Sequence, residues 1–193
     1  MIKISFLAFG LACLLGSCNR ENLKYDKPYF DFDSLVQTQS HLLTQTKARV
    51  SKESKLNGRS DSVTFMPDST QWKNELDAFQ QLDIINKPMY KGTYQISESD
   101  DEHSNLRMRS YVAKIKSPVQ AVKFYYRNDL KELKRIESSF EEENLMMTIT
   151  RKLILEFDEH HGQSVIVRYQ VVGSQKMVLS NKVSFSIEGK VSY

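Results

Sequence analysis

The sequence predicts an α+β domain: two N-terminal amphipathic helices with a small hairpin, packed on an antiparallel meander of about six or seven strands. Three observations predict it. Apolar residues recur at helical spacing in two stretches before residue 87, an Asn57-Gly58 pair stands between those stretches, and from Met89 onward the apolar period falls to two. Each period leaves one apolar and one polar face, so helices and sheet must bury their apolar sides against one another.

The elements follow in order. Asp33 is placed to cap a first helix running to Arg49 or a little earlier, with Leu35, Val36, Gln39, Leu42 and Leu43 on one face. A basic stretch follows, Lys47, Arg49, Lys52, Lys55 and Arg59, around Asn57-Gly58. Asn-Gly suits a type I′ turn, whose two central residues both need positive φ, so a hairpin of about 48–56 with 60–66 is expected. Asp68 and Gln71 form a capping-box pattern at the head of a second helix. Trp72, Leu76, Phe79, Leu82 and Ile85 trace its apolar stripe, and Asn86-Lys87-Pro88 stops it.

Beyond Met89, three sets share strand parity: Leu145, Met147, Ile149, Leu153, Leu155 and Phe157; Val165, Val167, Tyr169 and Val171; Val183, Phe185, Ile187, Val191 and Tyr193. Tyr111, Ala113 and Ile115 form a weaker set. Such alternation means one face on a core and one in water. Turns are expected at Ser117-Pro118, Arg127-Asn128-Asp129, Glu141 to Asn144, Glu159 to Gly162 and Gly173-Ser174.

The N-terminus reads differently. Lys3 supplies a short positive region, and Ile4 to Leu15 is apolar apart from Ser5 and Gly10. A run of about a dozen residues fits a signal peptide, whereas a spanning helix needs roughly 20. It ends in Leu15-Gly16-Ser17-Cys18, which resembles the lipobox of bacterial lipoproteins: leucine, two small residues, then the cysteine to be acylated. The resemblance implies cleavage before Cys18, a diacylglyceryl thioether on its sulfur, and usually an N-acyl chain. Two or more chains are what stable anchoring requires. Cys13 lacks leucine at the third position upstream and is read as part of the apolar run. The expected organisation is a signal peptide over residues 1–17, a lipidated tether over 18–29 and one domain over 30–193.

Composition sets bounds on what that domain does. Cleavage leaves 176 of the 193 residues, a usual size for one domain, and removes only one charge, so the net charge falls from +3 to +2. A near-balanced chain has no strong basic field for nucleic acid. Of the two cysteines, Cys13 leaves with the signal and Cys18 takes lipid, so the domain must stand without a disulfide. Nine Tyr, ten Phe and one Trp suit a sheet-rich core.

Few residues suggest chemistry. Asp158, His160 and His161 are the one local cluster of metal-capable side chains, but adjacent residues on a turn project apart and His41 and His103 are isolated. No metal centre or cofactor is expected there. Neither a Gly-x-Ser-x-Gly elbow nor a Gly-rich phosphate loop occurs, and Asp100-Asp101-Glu102 lies in a polar segment, so no enzymatic activity is expected. The basic hairpin could rest on anionic headgroups. Tyr90, Tyr94, Tyr111, Tyr125 and Tyr126 could stack on sugar rings, although cross-strand packing accounts for them equally.

Cys18-Asn19 after a short signal, with Tyr29-Phe30-Asp31-Phe32-Asp33-Ser34-Leu35, Arg151-Lys152-Leu153 and Ser186-Ile187-Glu188-Gly189, resembles the uncharacterised lipoproteins common in Bacteroidota. The resemblance implies no known activity. Asn19 resembles the residue of outer-membrane retention, and a single acid in Asn19-Arg20-Glu21-Asn22 favours the periplasmic face over surface display. The expectation is an outer-membrane lipoprotein held through acyl chains on Cys18 that binds a partner protein or assists an envelope assembly. The alternatives are a carrier of a hydrophobic ligand on a curved sheet and a metal-assisted hydrolase using His160 and His161.

Overall fold

A computed structural model of the chain describes residues 26–193, so Leu15, Gly16, Ser17, Cys18 and the signal peptide lie outside the described residues. The chain opens with helix α1 (Phe32–Gln45). Asp31, not Asp33, caps it, its carboxylate accepting from Ser34 N at 2.9 Å. The hairpin of β1 (Arg49–Leu56) and β2 (Arg59–Phe65) follows. Asn57 and Gly58 have φ of 48° and 85°, as the type I′ turn requires.

The expected second helix starts on its capping box but does not continue as one helix. It divides into α2 (Ser69–Glu75), α3 (Asp77–Gln80) and a 3₁₀ stretch, Gln81–Asn86. Its stripe explains why. From Trp72 to Leu76 the step is four, but from Leu76 to Ile85 it is three, the period of a 3₁₀ helix. All five stripe residues are buried.

The remaining strands are β3 (Tyr94–Asp100), β4 (Arg107–Ala113), β5 (Val119–Tyr126), β6 (Leu133–Glu143), β7 (Met147–His160), β8 (Gln163–Met177) and β9 (Val183–Ser192). Here the structure corrects the predicted fold class. The protein is a single nine-stranded antiparallel sheet in the order β2-β1-β9-β8-β7-β6-β5-β4-β3, with the helices as a minor layer. The hairpin is not a separate unit: β1 pairs with β9 from Arg49↔Ser192 to Leu56↔Phe185, which returns the first strands to the end of the meander. The sheet reaches nine strands because β1 and β2 join the seven strands β3–β9 along β9; β3, which buries only Tyr94, shows no alternation. Gly173-Ser174 is likewise no turn. Both residues lie within β8, and the chain reverses after Met177.

Register defines two faces. One row of neighbours is Phe124, Ile136, Leu155, Tyr169 and Gly189, and it faces the helices. The row beside it, Lys123, Glu137, Ile154, Gln170 and Glu188, points the other way, where no helix packs. The covered face is filled: Phe32, Trp72, Leu76, Phe79, Leu82 and Ile85 from the helical layer meet Phe124, Leu155, Phe157 and Tyr169 from the sheet. Helix α1 is seated by Gln39, whose buried amide donates to Ser164 O and accepts from Ile166 N, both at 2.9 Å.

Candidate functional site

The most concentrated charge in the described structure lies where the chain enters the domain. Lys27 Nζ is 2.6 Å from Asp31, 2.8 Å from Asp33 and 3.0 Å from Asp83 Oδ2. Asp31 and Asp33 sit at the head of α1, and Asp83 comes from the 3₁₀ stretch across from it. Asp83 Oδ1 accepts from Phe32 N and from Asn86 Nδ2, each at 3.0 Å, and Asn86 in turn holds Tyr29 N and Phe30 O.

Burial pushes the Asp83 carboxyl upward, a shift that Lys27 and Asn86 offset only in part. Burial acts the same way on Asp33, but the hydrogen bonds from Lys27 and Gln80 hold it below its ordinary value. For Lys27, burial opposes charge, yet the three carboxylates raise its pKa well above the ordinary lysine range. Asp31, Asp33 and Asp83 converge as metal ligands do, but the chain supplies its own cation, the Lys27 ammonium. The cluster therefore acts as a clamp. It joins the end of the segment read as a tether to the start of α1. Tyr29 completes the joint, packing on Tyr94 and Tyr111 with ring centroids 5.2 and 5.7 Å away.

Sequence reasoning missed this cluster. Its local signal, Lys27 four and six residues before two aspartates, was available, whereas Asp83 is brought in only by the fold.

The predicted candidates are placed as follows. His160 and His161 lie at the β7–β8 turn, where His161 and Gly162 both take positive φ. Their rings are 4.3 Å apart, and His160 stacks on Tyr193 at 4.5 Å. Asp158 instead pairs with Lys134 at 3.1 Å and accepts from Glu159 N, contacts that hold its carboxyl below the usual range. The three do not meet. Asp101 is engaged with Ser104 Oγ at 2.6 Å in the exposed β3–β4 loop. Lys52 and Lys55 of the basic hairpin pair with Glu75 and Glu53. Tyr90, Tyr94, Tyr111 and Tyr126 are buried in the core, so their rings are closed to a sugar, and Tyr125 lies beneath Arg135.

No family model, curated protein or solved structure matches this chain. Function must therefore be argued from its surfaces.

Two surfaces stand out. The bare face carries a cross-strand charge ladder in which Arg168 bridges Glu156 at 3.4 Å and Glu188 at 3.1 Å, with Arg135 paired to Glu137. Val112 and Val172 are exposed on the same face. The second surface is at the end of the sheet, where the β6–β7 and β8–β9 turns lie side by side, Val178 N donating to Met146 O at 3.0 Å. Leu145 and Leu179 there are 94% and 97% exposed, beside Met146, Met177 and Val178. Two shallow openings are seen: one of about 410 Å³ is lined by Glu98, Arg107, Arg109 and Lys131, and one of about 390 Å³, with a more apolar lining, by Phe140, Arg151, Lys152 and Val172.

Proposed function

We propose that this protein is a lipid-anchored envelope protein of non-enzymatic type, whose domain binds a partner protein or assists an envelope assembly through the bare face of its sheet. The lipobox-like Leu15-Gly16-Ser17-Cys18 supports the anchor, with the outer membrane and its periplasmic side as the location.

The observation that carries the binding role is the contrast between the two faces. Trp72, Phe79, Leu155 and Tyr169 occupy the covered face to within 1% exposure, so the space that a bound lipophile would need is taken by side chains. The other face is a broad, regular surface with a fixed charge pattern and scattered apolar residues, which suits recognition of a protein by complementary charge.

Photoreactive residues placed one at a time at Lys123, Lys152 and Val172 test this in living cells, with Gln37 on the exposed side of α1 as the control. One envelope protein joined from the three sheet positions and not from Gln37 is the expected result. Adducts absent from the sheet positions, or equally abundant at Gln37, contradict it.

A further inference from the structure

The paired turns at the end of the sheet break the usual rule of turn composition. Tight turns favour Gly, Asn, Asp, Pro and Ser, yet here their outermost side chains are Leu145, Met146, Val178 and Leu179, in two turns hydrogen-bonded to each other. These turns are held in shape. Asn144 Oδ1 accepts from Met146 N at 2.9 Å and Met147 N at 3.0 Å, and Ser180 N donates to Met177 O. The apolar side chains are thus presented on a built platform, and contiguous apolar patches of this kind mark contact surfaces.

Where the chain enters the domain says what the platform meets. Asp26 lies against Lys91, just before the start of β3. The start of β3 is level with the start of β5, because the Tyr94 hydroxyl donates to Val119 O at 2.8 Å, and Val119 is paired with Phe140 of β6. From Phe140, β6 runs five more residues to the turn at Leu145, about 17 Å at strand rise. Asp26 lies eight positions after Cys18, and a chain of eight such steps spans up to about 28 Å. Tether and turns therefore leave the same end of the sheet, and the tether is long enough to bring the cysteine to the level of the turns. Lys176 and Lys182 stand exposed around them, within reach of anionic headgroups, while Lys116 is paired with Glu143 at 3.2 Å.

We propose that Leu145, Met146, Val178 and Leu179 enter the interfacial layer of the bilayer to which Cys18 is tethered, a second contact that fixes the sheet upright on the membrane. This rests on the lipid anchor proposed above.

A cysteine scan tests it, because a thioether-linked Cys18 leaves the mature chain without a thiol. The full-length protein carrying Leu145→Cys or Leu179→Cys, labelled with an environment-sensitive fluorophore, is reconstituted into phosphatidylethanolamine–phosphatidylglycerol vesicles containing nitroxide-bearing lipid. Glu159→Cys at the opposite end of the sheet is the control. The expected result is one label per chain, with emission blue-shifted and quenched at positions 145 and 179 but not at 159. Floating vesicles with an unquenched label at 145 and 179 overturn the proposal and leave the anchor standing. If that label is nevertheless shielded in intact envelopes, the platform docks a protein instead. Label also incorporated at Cys18, with no flotation, shows that the cysteine carries no lipid, and the proposal falls with the anchor.

Discussion

Gly189 sits opposite Tyr169 in the covered row of the sheet, and the tyrosine ring lies where a side chain at 189 would begin. A Cβ there would come within 2.2 Å of the ring, while the tyrosine hydroxyl donates to Glu75 Oε2 at 2.6 Å and so cannot easily swing aside. Replacing Gly189 with Ala is expected to destabilise the domain by about 1–3 kcal/mol, the usual cost of overfilling a packed site. Urea unfolding measures it, and an unchanged midpoint would show that the ring moves freely. Lys27 makes a prediction in pH. Its folded pKa lies above the ordinary lysine value of about 10.5, so its contribution is complete below that value and is lost as pH rises through the folded one. Tyr94, pushed up to about 12 by burial, adds loss of the same sign. On the acid side Asp33 and Asp83 shift in opposite directions and partly cancel, so the alkaline limb is the cleaner test. The melting temperature should fall more steeply as pH rises above about 10.5 in the native protein than in Lys27→Met. Equal slopes would remove the clamp from the stability of the fold.

Single elements show what a local pattern can and cannot convey. The stripe from Trp72 to Ile85 was fully legible as buried, yet its threefold spacing turned the second half of the helix into a 3₁₀ stretch. The parity sets in β7 and β9 were legible because both strands have one face on the core. Strand β3 was not, since an edge strand with a single buried residue has no period to display. Gly173 reads as a turn residue, but a Cβ there would come 2.4 Å from the Thr150 carbonyl oxygen of β7 and 2.7 Å from the Phe185 ring of β9. Those contacts are long-range and leave no local trace. The same holds for Gln39, a polar residue on the apolar stripe of α1 whose role appears only where it meets β8. Its amide satisfies two buried backbone groups, so Gln39→Met should cost about 1–3 kcal/mol by leaving both unpaired. Denaturant midpoints within error of the native protein would mean that α1 is seated by its apolar contacts alone.

At the scale of the whole molecule, one sheet does two jobs. Its covered face is a filled core that holds nine strands together without a disulfide, and its bare face and apolar turns are the surfaces we propose for contact. The candidate site was only half legible. The lipobox-like Leu15-Gly16-Ser17-Cys18 is a local motif that rests on the sequence alone and lies outside the described residues. The Lys27 clamp joins residues more than fifty positions apart, and the paired turns depend on the register of β7 with β8, so neither could be read from spacing. The proposed membrane role depends on the lipid anchor, and intact-mass analysis of the protein purified from membranes tests that anchor most directly. A chain beginning at Cys18 and carrying diacylglyceryl and acyl mass, lost in Cys18→Ser, is the predicted result. A mature chain that begins elsewhere, or begins at Cys18 with a free thiol, would contradict it.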